Sequence, residues 1–209
     1  MSAPILVVLA GPNGAGKSTF YRAFLRESGL HYLNADDIAA KVGLSVENAT
    51  RAADALRAEL LTVGQSFITE TVFSDPVGAK IQFMRDAIAM GYSVTLIYIG
   101  LSGPDLSEAR VIQRVAGGGH DVPSERLPRR YAQSLLNLRA ALEFVPNVRI
   151  FDNSSDEEPF RLVYERDAGR AGNRVNPLPR WLAKVLAWAA APVRAKAGPA
   201  SGLTGERPG

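Results

Sequence analysis

The run Gly11-Pro12-Asn13-Gly14-Ala15-Gly16-Lys17-Ser18 has the residue types and spacing of a phosphate-binding loop, G-x-x-x-x-G-K-[ST]. Its glycines let successive backbone N–H groups turn toward phosphate oxygens. The lysine reaches the β- and γ-phosphates, and the serine hydroxyl ligates Mg²⁺. The sequence therefore predicts a nucleoside triphosphate site. We expect the nucleotide to contact this loop and the next residue, namely Gly11, Asn13, Gly14, Ala15, Gly16, Lys17, Ser18 and Thr19.

Acidic residues follow two predicted strands at the sheet edge where ligands of α/β domains bind. Asp36 and Asp37 follow the second strand, where a carboxylate could accept the proton of a hydroxyl that attacks the γ-phosphate and help to hold the metal. The alternative is that they cap the next helix. Glu70 and Thr71 end the third strand and could bind the acceptor or order water on Mg²⁺, or could simply face a helix N-terminus.

Arginines surround a glycine-rich segment in the second half of the chain. Arg110 and Arg114 are one helical turn apart, Gly117-Gly118-Gly119-His120 follows, and Arg129-Arg130 comes next. This combination is typical of a kinase lid, in which guanidinium groups close on the transferring phosphoryl group. Any single arginine could instead form a surface ion pair, and His120 could contact substrate or order the loop.

The elements that would hold these residues alternate between strand and helix. The first strand, Ile5 to Ala10, is a continuous apolar run that leads into the phosphate loop, and a helix from Ser18 to Glu27 follows. The pattern predicts an α/β fold of the P-loop NTPase class, with helices on both faces of a parallel sheet of five strands, or six. The other four strands are expected at His31 to Asn34, Ser66 to Glu70, Ser93 to Ile99 and Val148 to Phe151.

Capping residues predict where the later helices begin. The expected starts are Ser45, Asp75-Pro76, Asp105 or Ser107, and Ser124, with ends near Val63, Gly91, Val115 and Phe144. A terminal hairpin is expected to pair Phe160 to Glu165 with Asn173 to Asn176. A last helix, Pro179 to Ala190, is expected to pack on the domain, with a partner surface as the alternative.

The predicted organisation is one P-loop kinase domain over residues 1–177, with an Arg-rich lid at about 103–130. An amphipathic helix follows at 178–191, and the Gly/Pro/Ala-rich residues 192–209 are expected to be disordered. The absence of cysteine excludes disulfides and thiolate metal sites, and the net charge of +3 is too small to argue for nucleic acid. The first apolar run is too short for a secretory signal or a membrane span, so we expect a cytoplasmic protein with no membrane or nucleic-acid partner.

Taken together, the motifs resemble those of the zeta toxin family of P-loop kinases. The resemblance is to its short, single-domain members, which are also described as predicted ABC-type ATPases. It covers about residues 4 to 165. The motifs that carry it are Gly11 to Thr19, Asn34 to Ala39, Glu70 to Ser74, Arg114 to Pro123 with Arg129-Arg130-Tyr131, and Phe151 to Ser154.

The resemblance implies a kinase that transfers the ATP γ-phosphate to a hydroxyl of a UDP-activated N-acetylated amino sugar, with a toxic outcome and a separate antitoxin as partner. Asp36 would match the catalytic base, and Arg114 with Arg129 or Arg130 the phosphate-clamping arginines. Glu70 and Thr71 would match the acceptor-binding strand end, and Asn153 would lie near the adenine. This chain is shorter than the typical toxin and lacks the long helical region that partly frames the sugar-nucleotide site there.

Three other functions are open at the level of sequence. The chain could phosphorylate another metabolite or a nucleotide on the same scaffold. It could be an ATPase that acts on a protein partner, although no strand ends in a typical Walker B pair and no signature segment for a second subunit is found. It could also bind nucleic acid through its basic segments, which would make its affinity strongly dependent on salt.

Overall fold

The fold is built on one β-sheet. The phosphate loop lies at the edge of this sheet where the parallel strands have their carboxyl ends. The computed structural model describes residues 2–116 and 123–190 of the 209-residue chain. Within them the strands are β1 Ile5–Ala10, β2 His31–Leu33, β3 Phe67–Thr71, β4 Ser93–Gly100, β5 Asn147–Asp152, β6 Arg161–Asp167 and β7 Arg170–Arg174.

The strand order is β2-β3-β1-β4-β5-β6-β7, which puts β1 at the centre of the parallel part. The first five strands in this order pair in parallel, so their carboxyl ends share one edge. The last two pair antiparallel and form the expected terminal hairpin, although its second strand is Arg170–Arg174 and not Asn173 to Asn176. The hairpin extends the predicted parallel sheet to seven strands, and the α/β fold of the P-loop class is confirmed.

Helices cover both faces of the sheet, and those before β5 connect its parallel strands. They are α1 Lys17–Phe20, α2 Ala35–Val42, α3 Val46–Thr62, α4 Ala79–Ala89, α5 Pro104–Ala116, α6 Leu127–Leu142 and α7 Arg180–Ala190. The first of them continues as a π-helical turn, Tyr21–Leu25, and a 3₁₀ turn, Arg26–Ser28, which together occupy the helix expected from Ser18 to Glu27.

Side chains of β1 alternate between two hydrophobic clusters, as those of a strand buried on both faces must. Leu6 and Val8 belong to the larger cluster with α4, α6 and α7, whereas Leu9 belongs to the smaller one beside Phe20 and Tyr131. Trp181 and Leu182 of α7 are buried in the larger cluster, which confirms that the last helix packs on the domain.

Three predicted helix starts are corrected by the structure. The helix after β3 begins at Ala79 and not at Asp75-Pro76. Asn137 of α6 donates its side-chain N–H to the carbonyls of Phe73 and Asp75 and holds this segment as a loop. The next helix begins at Pro104, so Asp105 and Ser107 lie inside it. Ser124 opens a 3₁₀ turn, and the regular helix begins at Leu127. The start at Ser45 is confirmed.

Two predicted features fall outside the described residues. They are Gly117-Gly118-Gly119 with His120 in the lid, and the tail at 192–209. In residues 2–116 and 123–190, no helix combines the length and the apolar character that crossing a bilayer requires.

Candidate functional site

The phosphate loop turns directly from β1 into α1 at glycines that accept no side chain. Gly16 has a φ of 86°, in the left-handed region that favours glycine. A Cβ atom built on Gly16 would lie 2.8 Å from Nδ2 of Asn153. The backbone of the loop therefore approaches Asn153, the residue after β5, as closely as a residue without a side chain allows.

The side chain of Lys17 folds back over the first half of the phosphate loop. Its side chain is buried, and its Nζ donates a hydrogen bond of 3.0 Å to the carbonyl of Pro12. Burial lowers the pKa of Lys17, whereas the carboxylates of Glu70 and Asp36 oppose this by favouring the ammonium form. The lysine is thus a buried cation whose nearby countercharges come from the ends of β3 and α2.

Glu70 connects the phosphate loop to the neighbouring strand β2 through hydrogen bonds. The Ser18 hydroxyl donates to Glu70 Oε2 at 3.1 Å, and the Tyr32 hydroxyl donates to the same oxygen. Burial, followed by the charge of Glu70, raises the pKa of Tyr32, so this hydroxyl stays a donor. Asn34 donates to the Tyr32 oxygen at 3.2 Å and completes the chain of hydrogen bonds.

Asp36 and Asp37 do not cap the helix that they enter. Asn34 is the N-cap residue, and its Oδ1 accepts a hydrogen bond of 2.9 Å from the backbone N–H of Asp36. Both aspartates lie in the first turn of α2 and are exposed. Their carboxylates are therefore available to a ligand instead of being used to close the helix end.

Ser18 and Glu70 fit a Mg²⁺ ion that is carried in with a nucleotide. Protein sites for Mg²⁺ usually supply one or two oxygen ligands, and substrate phosphates and water supply the rest. A hydroxyl and a carboxylate 3.1 Å apart beside the phosphate loop match that pattern. Within the described ranges, no group of three or more histidine, aspartate and glutamate side chains could hold a metal without a nucleotide.

A cleft of three adjoining chambers runs along the carboxyl edge of the sheet. The donor chamber, about 520 Å³, lies between the phosphate loop and α5; its lining includes Gly14, Gly16, Lys17, Ser18, Arg110 and Arg114. The middle chamber, about 240 Å³, is lined by Asn13, Asp36, Arg57, Thr71 and others. The outer chamber, about 520 Å³, is lined by Thr71, Lys80, Arg126, Arg129, Arg130 and others.

Shared residues show how the chambers connect. Asp36, Glu70 and Arg114 line both the donor and the middle chamber, so they stand at the junction of these two spaces. Arg130 and Lys80 line both the middle and the outer chamber. A ligand in the middle chamber would therefore touch the phosphate-loop side at one end and a basic wall at the other.

Asn13 contributes an unsatisfied polar atom to the middle chamber. Its side chain is buried, and its Oδ1 has no hydrogen-bond partner among the described residues. Its backbone carbonyl, in contrast, accepts a hydrogen bond of 2.6 Å from the Ser107 hydroxyl. Because buried polar side chains are normally satisfied, the Asn13 side chain is a candidate contact for a polar ligand group.

Arg110 and Asn153 brace the phosphate loop. Asn153 donates from Nδ2 to the carbonyl of Ala15 at 3.0 Å, and its Oδ1 accepts from the N–H of Phe160. Arg110 donates to the backbone carbonyl of Asn153 at 2.7 Å and forms an ion pair with Asp156 at 2.9 Å. The side chains expected near substrate and adenine are thus both engaged with the protein backbone around the loop.

Arg57 is a site residue that the motif analysis missed. Its side chain is only 4% exposed, and it donates to Thr69 Oγ1 at 2.6 Å and to the carbonyl of Glu70 at 3.2 Å. It also pairs with Asp54, which Lys80 contacts from α4. A signal was present in the sequence, because Arg57 falls on the stripe of α3 that Ala49, Ala53 and Leu61 bury at spacings of four.

The remaining predicted residues differ in where they lie. Thr19 and Asp37 line the donor chamber. Arg129 lines only the outer chamber, whereas Arg130 reaches the middle one as well. His120 lies outside the described residues.

Comparison with known proteins identifies the family of this site. The model of the zeta toxin family matches residues 1–167. The chain belongs to the zeta toxin family. As a zeta toxin family member it has the P-loop kinase fold, with the phosphate loop, Asp36, Glu70 and Arg114 inside the matched region.

Other proteins resemble this zeta toxin family member over most of its length. An uncharacterized protein of Haemophilus influenzae is 30% identical over 130 residues, which are 60% of this chain and 91% of that protein. A structure of the PezAT chromosomal toxin–antitoxin system of Streptococcus pneumoniae superposes with a TM-score of 0.60 at 17% identity, covering 90% of this chain and 88% of that one. The AvrRxo1-ORF1:-ORF2 structure with ATP gives a TM-score of 0.63 at 16% identity, covering 92% of this chain and 66% of that one. At such identities, the two structures show a shared fold.

Proposed function

We propose that this protein is a kinase that transfers the γ-phosphate of ATP to a hydroxyl of a small molecule. The observation that carries the proposal is the junction of the donor and middle chambers, lined by Asp36, Glu70 and Arg114. An enzyme that only hydrolysed ATP would need room for one water molecule beside the phosphate loop. A separate chamber of about 240 Å³ at this point suits an acceptor molecule.

ATP is the proposed donor. The phosphate loop, with buried Lys17 and the glycine-dependent turn at Gly16, has the features that hold a triphosphate. The AvrRxo1-ORF1:-ORF2 structure, which shares the fold, contains ATP and supports the same donor here. Use of ATP also favours action in the cytoplasm.

Mg²⁺ is the proposed metal, and Ser18 with Glu70 would hold it, aided by Asp36 at the junction. When bound, such an ion would neutralise negative charge on the phosphates of the nucleotide. Glu70 would act on the donor side as well as at the acceptor-binding strand end, because its carboxylate accepts from Ser18 and lines the middle chamber.

In the proposed reaction, Asp36 accepts the proton of the acceptor hydroxyl as its oxygen attacks the γ-phosphorus. The new oxygen–phosphorus bond forms while the bond from the γ-phosphorus to the β,γ-bridging oxygen breaks, and ADP leaves. Lys17 balances charge on the phosphates. Arg114 and Arg130, which line the middle chamber from two helices, would stabilise the charge that spreads over the transferred group.

The proposed acceptor is a UDP-activated N-acetylated amino sugar, and the proposed outcome is a toxic one. Membership of the zeta toxin family supports both. The middle and outer chambers together leave space for a molecule larger than a simple sugar. A separate antitoxin partner is proposed on the similarity to the PezAT toxin–antitoxin structure.

The experiment is an acceptor panel followed by mass spectrometry. Purified protein is incubated with γ-labelled ATP and Mg²⁺ together with UDP-N-acetylglucosamine, UDP-N-acetylgalactosamine, UDP-glucose, free N-acetylglucosamine or a nucleoside monophosphate. We expect label to move to a UDP-N-acetylated sugar and its mass to rise by one phosphoryl group, with no transfer by Lys17→Met. Transfer to another panel member would replace the proposed acceptor. ADP formation at one rate with every acceptor and with none would contradict a kinase.

A further inference from the structure

Helix α5 sits directly on the phosphate loop. The Ser107 hydroxyl donates a hydrogen bond of 2.6 Å to the backbone carbonyl of Asn13, and Ser107 is only 1% exposed. A Cβ atom built on Gly14 would lie 2.7 Å from the carbonyl oxygen of Ser107. The helix therefore touches the loop at two consecutive residues.

The partner of the Ser107 hydroxyl is unusual for a serine inside a helix. Such a serine commonly donates to a carbonyl in the preceding turn of its own helix. The Ser107 hydroxyl instead crosses to Asn13, 94 positions away in the chain. The bond therefore fixes the helix relative to the phosphate loop and contributes nothing to the helix itself.

The buried face of α5 is small. Ser107 and Val111 are its buried residues within Pro104–Ala116. One turn after Ser107, Arg110 fastens the helix to the neighbouring loop by donating to the backbone carbonyl of Asn153 at 2.7 Å. Because the helix buries so little, the contact at Ser107 accounts for a large part of its placement.

Arg114 lies two turns beyond Ser107 on the same side of the helix. Residues at this spacing are separated by about 10 Å along the helix axis. Arg114 lines both the donor and the middle chamber. Burial is the main cause of the lowered pKa of Lys17, and the charge of Arg114 also acts to lower it, so the guanidinium lies near that ammonium group. The position of α5 therefore determines where Arg114 would meet a bound triphosphate.

We infer that Ser107 is a positioning residue, which seats α5 on the phosphate loop and so places Arg114 against the γ-phosphate of a bound nucleotide. The inference rests on the proposed function, in which Arg114 stabilises the transferred phosphoryl group. A displacement of about 1 Å greatly weakens the action of a group that must contact reacting atoms. Loss of the seat should therefore weaken recognition of the γ-phosphate more than that of the phosphates that the loop itself surrounds.

The test measures the preference for a γ-phosphate, defined as the dissociation constant of ADP divided by that of the non-hydrolysable ATP analogue β,γ-imido-ATP. Both constants are determined by calorimetric titration of the full chain with Mg²⁺ in excess. Ser107→Ala should lower the preference at least about threefold, and Arg114→Gln about tenfold, as for loss of a charge-assisted hydrogen bond. The double variant should match Arg114→Gln within about twofold, because Ser107 acts through Arg114.

Ser134→Ala is the matched control. Ser134 is buried on α6, its hydroxyl is hydrogen-bonded to that of Tyr98 at 2.9 Å, and it is absent from the described lining of the three chambers. Its replacement also removes a buried, bonded hydroxyl, yet the preference should stay within about twofold of wild type. Should Ser107→Ala unfold, Ser107→Cys keeps most of the side-chain volume, donates only weakly, and should show the same loss.

The other outcomes overturn the inference. It fails if Ser107→Ala keeps the wild-type preference, if Arg114→Gln has no effect, if Ser134→Ala lowers the preference equally, or if the two effects multiply in the double variant. Because the titrations involve no phosphoryl transfer, a failed acceptor panel would leave a positive result standing. Conversely, transfer to an acceptor by the wild type, with an unchanged preference in Ser107→Ala, would remove this inference and leave the proposed function intact.

Discussion

At the scale of residues, Glu70 connects the largest number of functional groups. It accepts hydrogen bonds from Ser18 and Tyr32, adds charge near Lys17, and lines the junction of the donor and middle chambers. The family resemblance predicted that Glu70 ends an acceptor-binding strand, and that role stays a prediction. The contact of Glu70 with Ser18 could not be predicted from local sequence, because the two residues are 52 positions apart. They meet only because β3 pairs beside β1 in the sheet.

Replacing Glu70 by glutamine should separate its charge from its shape. Glu70→Gln keeps an acceptor for Tyr32 but removes the negative charge beside Ser18. We expect the Mg²⁺ concentration for half-maximal binding of β,γ-imido-ATP to rise about tenfold, as for loss of a contact to a charged group. Tyr32→Phe removes a hydrogen bond and leaves the carboxylate, so its effect on the Mg²⁺ dependence should stay below about threefold. Equal effects of the two changes would contradict a metal-side role for Glu70.

At the scale of elements, the end of β3 is held by α3 and α4. Arg57 reaches from α3 to Thr69 and to the carbonyl of Glu70, and Asp54 links it to Lys80 of α4. Burial lowers the pKa of Arg57, and its pairing with Asp54 opposes that change and favours the charged form. The three elements therefore fix the position of the strand end that carries Glu70.

Removing the buried arginine should destabilise the protein far more than removing an exposed one. Arg57→Met leaves Asp54 and the Glu70 carbonyl with fewer partners, and we expect the free energy of unfolding to fall by about 2–4 kcal/mol. Arg51→Met on the same helix removes an exposed pair with Glu47 and should change it by less than about 1 kcal/mol. Chemical denaturation measures both. A loss for Arg57→Met as small as that for Arg51→Met would contradict the role of this network.

Local sequence patterns were sufficient where an element depends on its own residues. The strand at Ile5–Ala10, the loop after it, the cap at Ser45 and the terminal hairpin were all predicted. The start of α4 was not, because Asn137, far along the chain, holds the Asp75 loop open. The bracing of the phosphate loop by Asn153 was missed for the same reason, since it joins positions 138 apart.

At the scale of the whole molecule, α7 packs on the larger core cluster at the carboxyl end of β4. Trp181 packs over Gly100 and donates from Nε1 to Asp152 at 3.2 Å. A Cβ atom on Gly100 would lie 2.1 Å from Cζ2 of Trp181, so the docking of the last helix depends on a glycine at the end of a central strand. The family match ends at residue 167, before this helix begins.

Adding one methyl group at this contact should loosen the last helix. Gly100→Ala forces Trp181 to move, and we expect a loss of about 1–3 kcal/mol in the free energy of unfolding, together with a more exposed indole fluorescence. Gly103→Ala is the matched control, because a Cβ atom there meets nothing within 4 Å. Wild-type stability and fluorescence in Gly100→Ala would show that α7 does not pack against Gly100.

The central claim, that Asp36 serves a hydroxyl acceptor beside the phosphate loop, is tested most directly by one comparison of rates. Asp36 lines both the donor and the middle chamber, whereas Asp37 lines the donor chamber but not the middle one. Acceptor-dependent transfer of the γ-phosphate is measured for Asp36→Asn and Asp37→Asn at saturating ATP, with ATP affinity determined for each. We predict that Asp36→Asn lowers the transfer rate by roughly 10²- to 10⁴-fold with ATP binding retained, and that Asp37→Asn lowers it far less. Transfer by Asp36→Asn at the wild-type rate would contradict the account.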